Sequence, residues 1–417
     1  MPPRKSQAKS QAKKRIAVFF GGRSPEHDVS VVTGLQILGA IDPTRYDAFP
    51  VYISTDGVWL VGEVLRKREN YMLHAVNRRE VRQVKLDVTA GRTGRLIPHK
   101  TSLFDTGGKF IQFDVAIPSF HGLFGEDGNM QGVFEIAGVA YAGMRTLASA
   151  VLMDKAVTKK VMQGLDIPVL PYAVLKRPAQ GYMIAREIIE QTLREKNIGF
   201  PCILKPAHLG SSIGVAKASN AEEIAACLPA VFEYDEVAIV EPFVQNLVEY
   251  NVAVTKAFGG VKTSAIERPK ASEELLDFKQ KYLSGGGSKG GSKSGTKTPG
   301  QASQGMLSLT REINPELDAQ TEKNIRDWAV RMYEGLDGTG APRIDFIGNS
   351  KTGELWLNEV NPWPGSIGYF LWEAAPEPAL FSELMTALIE EAIEERRKRN
   401  FAKDPVPVDA RLLKRSV

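Results

Sequence analysis

Twice in its N-terminal third the chain runs a short apolar stretch into glycine and then into a helix-like pattern. Arg15–Phe20 ends in Gly21-Gly22, and Ser30–Ala40 follows, with Val31, Val32, Leu35 and Leu38 on one helical face. Asp114–Phe120 runs into His121-Gly122-Leu123-Phe124-Gly125-Glu126-Asp127-Gly128. A short apolar run closed by glycine reads as a buried strand, and strand–turn–helix repeated reads as an open α/β sheet. Ala48–Ile53 supplies another strand, whereas 62–110 is polar, weakly patterned and left unassigned.

The rest of the chain keeps the same alphabet in a different order. Leu147–Gly164 is helical, with Asp154 as an internal cap. Strands are expected at Cys202–Pro206, Ile213–Ala218 and Glu236–Pro242, and Asn220 caps a helix that runs to Tyr234. Glu249–Phe258 and Val261–Glu267 form a hairpin across Gly259-Gly260. A helix over Pro315–Leu336 precedes strands at Arg343–Ile347 and Glu354–Val360, and Ala379–Arg399 closes the chain as an amphipathic helix. Ser284–Gly305 is rich in Gly, Ser and Lys, cannot pack a core, and reads as a flexible loop, of the kind that serves as a lid, a binding loop or a disordered insertion.

Composition excludes several classes. With 417 residues, 43% hydrophobic and 24% charged, the chain is long enough for two to three globular domains. Cys202 and Cys227 alone cannot build a disulfide framework or a cysteine zinc site. No apolar run reaches the roughly 20 residues of a membrane span, and the basic start lacks the apolar length of a signal peptide, so a cytoplasmic location is expected. Arg4, Lys5, Lys9, Lys13, Lys14 and Arg15 sit in a start without acids. The remainder therefore carries −2 against the overall +4. The basic excess belongs to a solvated tail, and nucleic acid is not an expected partner.

Neither a GxxxxGK[ST] loop nor a GxGxxG after the first strand is present, and His27, His74, His99, His121 and His208 are scattered. The chemistry concentrates near the C-terminus. Arg343 and Asp345 lie two apart on one strand, and Glu359 and Asn361 two apart on the next. Alternation points each pair to one face. If the strands pair, Asp345, Glu359 and Asn361 converge as oxygen donors suited to Mg²⁺, with Arg343 beside them for a phosphate. The alternative is a polar strand face meeting solvent. The loop after Lys205 (Pro206-Ala207-His208-Leu209-Gly210-Ser211-Ser212) offers small residues and a lysine, fit either for a phosphate nest or for an ordinary turn. Ser24-Pro25-Glu26 reads equally as a helix start, with Ser as cap, Pro at the first position and Glu at the positive end.

Together these pieces resemble the D-alanine–D-alanine ligases of the ATP-grasp superfamily. The matching stretches are FFGGRSPEHDVS (19–30), HGLFGEDGNMQG (121–132), YAGMRTLASAVLMDK (141–155), ILKPAHLGSSIGVAK (203–217), IVEPF (239–243), LDFKQKYLSGG (276–286), RIDFIG (343–348) and LNEVNPWPGS (357–366), in the family's order. The resemblance implies an α/β ATP-grasp fold of three α/β domains with the nucleotide between the central and C-terminal sheets. The units would be a basic tail (1–14), an N-terminal open α/β domain (15–143), a central subdomain (144–240), a C-terminal domain (241–400) whose lid carries the 284–305 insertion, and a tail (401–417). It implies ligation of two D-alanines through an acyl phosphate for peptidoglycan precursors. ATP is the co-substrate, two Mg²⁺ ions (or Mn²⁺) the cofactors, and a homodimer the assembly.

Carried over by motif, Lys155 and Lys205 would hold phosphates, joined by Ser211 and Ser212 of the loop and by Lys281 from the lid. Glu241 would lie at the adenine-edge hinge and Glu249 on the ribose. Asp345, Glu359 and Asn361 would bind the two ions, and Arg343 would stabilise the transferred phosphoryl group. Glu26 would take the ammonium of the first D-alanine and His121 would lie near its carboxylate. Glu26, Ser211 and Tyr282 would form a hydrogen-bonded trio that fastens the lid, and Gly365 would lend a backbone N–H to the acyl oxygen. Phe370 and Leu371 occupy the place of a Ser-Leu pair that grips the second substrate's carboxylate. Because a phenyl ring makes no such hydrogen bond, an acceptor other than D-alanine stays open as the alternative.

Overall fold

The computed structural model describes residues 12–71, 80–89, 91, 93–99, 109–210, 213–269, 311–399, 406–407 and 409–412. Three sheets organise it. The first comprises β1 (Lys14–Gly21), β2 (Tyr46–Ile53), β3 (Trp59–Val61), β4 (Arg82–Leu86), β5 (Gly94–Pro98), β6 (Ile111–Phe113), β7 (Val115–Ser119) and β8 (Ala140–Tyr141), in the order β6-β5-β4-β3-β2-β1-β7-β8. β1 runs parallel to β2 and β7, and β7 to β8, as the strand–glycine–helix pattern requires. The unassigned 62–110 stretch supplies β4 and β5. With β3 and β6 they form an antiparallel meander on one edge. Their strands are three to five residues long and bury only some positions, so no periodic apolar signal marks them.

Helices α1 (His27–Ala40) and α2 (Asn129–Ala137) follow β1 and β7. α1 lies so close to β1 that a Cβ on Gly34 would meet the Phe20 ring at 2.5 Å. The expected long helix is two, α3 (Thr146–Met153) and α4 (Lys155–Gly164), broken at an extended Asp154. The Asp154 carboxylate accepts from the Ala156 and Val157 N–H groups (2.8 and 3.0 Å), while the Lys155 N–H donates to Ala207 O. α5 (Arg186–Glu195) and α6 (Ala221–Phe232, capped by Asn220) cover the second sheet.

That second sheet is antiparallel: β9 (Ala173–Lys176), β10 (Cys202–Pro206), β11 (Ala216–Ala218) and β12 (Val237–Pro242), ordered β11-β10-β12-β9. The strand expected from Ile213 begins only at Ala216, because Gly214 turns at positive φ. The third sheet, also antiparallel, is β13 (Leu247–Thr255), β14 (Lys262–Pro269), β15 (Arg311–Ile313), β16 (Arg343–Asn349) and β17 (Leu355–Asn361), ordered β15-β14-β13-β16-β17. One face of it packs Val252, Ile266, Ile344 and Phe346 on α7 (Ala319–Gly335); the other is polar.

After α8 (Tyr369–Glu373), the last helix, α9 (Phe381–Lys398), returns to the first sheet. Leu384, Leu388 and Ile389 share one core with Ile16, Val18, Phe20, Ile37, Trp363 and Trp372. Among the described residues no helix is long and apolar enough to cross a membrane.

Candidate active site

The second and third sheets face each other across a cleft of about 190 Å³. Its lining joins apolar residues, Leu170, Ile203, Phe243 and Val244 among them, to the charged groups of Lys155, Lys205, Glu241, Glu249 and Glu359. Period two on β10 and β12 puts Lys205 and Glu241 on the same face. Lys205 Nζ lies 2.6 Å from Glu241 Oε2 and donates to Asn358 Oδ1 at 2.9 Å. Lys155, at the start of α4, donates to Leu209 O (2.6 Å) and lies 3.6 Å from Glu359 Oε2.

Sequence reading overlooked Lys159. One helical turn beyond Lys155, it is fully buried, and its Nζ lies 2.5 Å from Glu241 Oε1. Burial alone would raise the Glu241 carboxyl, but Lys205 and Lys159 outweigh it and hold the group down at about 2. Burial pushes the Lys159 ammonium down from its ordinary value. The i,i+4 spacing of two lysines was the available signal. Without the fold it reads as an exposed basic face.

Across the cleft a polar row crosses the third sheet. Directly opposed residues share a face, and the register aligns Glu267 (β14), Asn251 (β13), Asp345 (β16) and Glu359 (β17). Arg343 and Asn361 form the next pair of the same two strands. Arg343 grips Asp345 with both prongs (Nε–Oδ1 and Nη2–Oδ2, each 2.7 Å), and Asn361 Nδ2 donates to Asp345 Oδ2 at 3.0 Å. Asn251 Nδ2 donates to Glu267 Oε2 (3.2 Å), and Arg311 Nη1 lies 3.0 Å from Glu267 Oε1.

The row's electrostatics are uneven. Burial raises Asp345 despite Arg343, and burial followed by repulsion from Asp345 and Glu359 raises Glu249. Glu359 is half-buried, and against that burial Lys155 and Lys205 bring it below its ordinary value. Negative potential left over beside Asp345 and Glu249 is what a hard cation would relieve. Two carboxylates and an amide oxygen are oxygen donors of the kind such an ion takes. Among the described residues no group of three or more His, Cys, Asp or Glu converges as a metal cage.

Glu26 stands at the junction with the first sheet. Added Cβ atoms on Gly122 and Gly210 would come 3.0 Å from its carboxylate, so both loops lie close against it. Gly122 also sits at φ +77°. The His121 ring is buried, with Nε2 and Thr33 Oγ1 hydrogen-bonded at 3.0 Å and Nδ1 3.5 Å from Glu126 Oε2. Thr33 and Gln36 of α1 in turn meet Ser366, whose N–H donates to Thr33 Oγ1 (3.4 Å) and whose hydroxyl donates to Gln36 Oε1 (2.5 Å). This links α1 to the turn Gly365–Gly368, where Ser366 and Ile367 both take left-handed backbone. The Leu371 side chain is fully buried in the core, leaving its backbone for any ligand contact, and Phe370 lies under the Arg311 guanidinium, 4.3 Å from the ring centre. Ser211, Ser212, Lys281, Tyr282 and the 284–305 insertion lie outside the described residues.

Models of the D-Ala–D-Ala ligase N-terminus and C-terminus match residues 15–144 and 161–390 respectively. A D-alanine–D-alanine ligase of Ruminiclostridium cellulolyticum is 33% identical over 92% of this chain and 96% of its own length. That of Thermosipho melanesiensis is 30% identical over 96% and 98%. Among solved structures, the D-alanine–D-alanine ligase of Coxiella burnetii superposes with a TM-score of 0.72 at 24% identity, covering 93% of this chain and 96% of that one. The VanG D-Ala:D-Ser ligase of Enterococcus faecalis gives 0.68 at 25%, covering 91% and 100%. Matched over 15–144 and 161–390 by the two family models, and over more than nine-tenths of its length by these relatives, the chain belongs to the D-alanine–D-alanine ligase family.

Proposed function

We propose that this protein joins two D-alanines at the expense of ATP. The observation that carries the reading is the pairing, across one cleft, of the Lys155–Lys205–Lys159 cluster with the Asp345–Glu359 row. Cations to hold phosphates face carboxylates to hold a divalent ion. The apolar residues of the cleft take the adenine and Glu249 the ribose. Glu241, spent on two lysines, serves as their anchor, with its backbone at the hinge. Residues 15–143, 144–240 and 241–400 act as first-substrate, central and C-terminal units.

A carboxylate is a poor electrophile, so the first D-alanine attacks the γ-phosphorus through a carboxylate oxygen and ADP leaves. The amine of the second then attacks the carbonyl carbon, phosphate departs, and the amine sheds a proton. The chain's own work is placement and charge stabilisation. Glu26 holds the first ammonium near His121, Lys155 and Lys205 hold phosphate oxygens, Arg343 turns from Asp345 toward the phosphoryl group, and the Gly365 N–H faces the acyl oxygen. Asp345, Glu359 and Asn361 would hold two Mg²⁺ or Mn²⁺, which neutralise phosphate charge. Ser211, Ser212, Lys281 and Tyr282 complete the phosphate loop and lid. A cytoplasmic homodimer supplying peptidoglycan precursor accords with this reading.

The deciding assay is ADP release from ATP and Mg²⁺ with D-alanine as sole amino acid, with the product identified by mass. D-Ala–D-Ala is expected. Phe370 and the likeness to a D-Ala:D-Ser ligase favour one second reading, a different acceptor. It would appear as a mixed product when D-serine or a hydroxy acid is added, with little product from D-alanine alone.

A further inference from the structure

Resting on the ligase reading, the geometry points to Arg311 as the group that binds the carboxylate of the acceptor amino acid. The polar row has a direction. At one end Glu359 meets Lys155, the phosphate side. Next comes Asp345 with the fork of Arg343, and two strands further on lies Glu267 with Arg311. Strands are about 4.8 Å apart, so the row spans phosphate to acceptor within a few side-chain lengths. Glu267 keeps the two ends in electrostatic contact, since its charge acts on both Arg343 and Asp345.

An acceptor amino acid brings a carboxylate that needs a cation. Lys159 is committed to Glu241, Lys155 and Lys205 to the phosphates, and Arg343 is spent on Asp345 and the phosphoryl group. Arg311 stands apart from these. It is half-buried on the edge strand β15, over the ring of Phe370, which lies five residues beyond Gly365 at the start of that turn. A guanidinium has five N–H donors, and among the described contacts Nη1 alone is engaged, by Glu267. Stacking on Phe370 and the Glu267 pair fix the fork, leaving the remaining donors for a bidentate carboxylate. Phe370 thus serves as the platform for the guanidinium rather than as a ligand itself.

The test compares D-alanine with D-alaninamide, which lacks the carboxylate, as acceptor at saturating ATP. Wild type should prefer D-alanine by at least tenfold in kcat/KM. Arg311→Gln should raise the acceptor KM about 10–100-fold, the loss of one charge-assisted pair, and abolish the preference. The KM values for ATP and the first D-alanine should stay within about twofold. Arg311→Lys, which keeps the charge without the fork, should restore part of the preference. Phe370→Leu, which removes only the platform, should weaken it without touching the KM for ATP. An unchanged acceptor KM and an unchanged preference in folded Arg311→Gln and Arg311→Lys would overturn the assignment. So would a parallel rise in all three KM values. A wild type that turns over neither acceptor would instead overturn the ligase reading beneath it.

Discussion

Two ionic clusters, one buried and one half-buried, carry consequences residue by residue. Glu241 sits between Lys159 and Lys205, and removing one cation leaves charge buried without its partner. Lys159→Met should cost about 3–5 kcal/mol in urea unfolding and raise the KM for ATP, because Lys205 then swings on a looser anchor. The group's depressed pKa means that its stabilisation is present above the ordinary carboxylate range and fades as pH falls through about 2. His208 behaves oppositely. Hydrogen bonds to Asp154 and Asp235 outweigh burial and lift its imidazolium from 6.5 to about 10. Its contribution is therefore complete below pH 6.5 and is lost as pH rises toward 10. Wild-type Tm should fall across that window, and His208→Gln should start lower and lose most of that slope.

Elements meet where small residues let them. α1 carries Glu26 just before its first turn, and its distance from β1 is set by Gly34 against Phe20. Gly34→Val would force the helix outward. It should cost about 1–3 kcal/mol in stability and raise the KM for the first D-alanine, since Glu26, Thr33 and Gln36 move with the helix. A stability loss with no change in that KM would separate α1 from the substrate site. The break between α3 and α4 is a similar device. Asp154 ends one helix, caps the next and pairs with His208, so that Lys155 emerges at the cleft with its backbone tied to Ala207.

At the scale of the molecule, the last fifty residues return to the start of the chain. Trp372 is fully buried in a core shared by β1, α1 and α9, 5.7 Å from the Phe258 ring in the loop after β13. Trp372→Ala should cost about 3–5 kcal/mol. Because that core joins the first sheet to the third, unfolding should remain one cooperative transition shifted to lower temperature. A split into two transitions would show that the sheets fold independently.

Strongly periodic segments were legible from the chain alone. β1, β7, β10, the β13–β14 hairpin and the helix capped by Asn220 announce themselves because local burial and capping dictate them. The spacing of Arg343–Asp345 and Glu359–Asn361 likewise showed which residues share a face. Register placed Asp345 directly opposite Glu359. The short meander strands stayed hidden, since three to five half-exposed residues are held by their neighbours and not by their own pattern. Lys159, Glu267 and Arg311 carry no local mark either. Each acquires its role from a partner far away in sequence, through burial and charge pairing that exist only once sheets and helices have met. Local chemistry wrote the elements and the family's motifs into the sequence. Which charges are buried, which are spent on each other and which remain for a substrate was decided by the tertiary structure, because desolvation and Coulomb energy depend on distance in space.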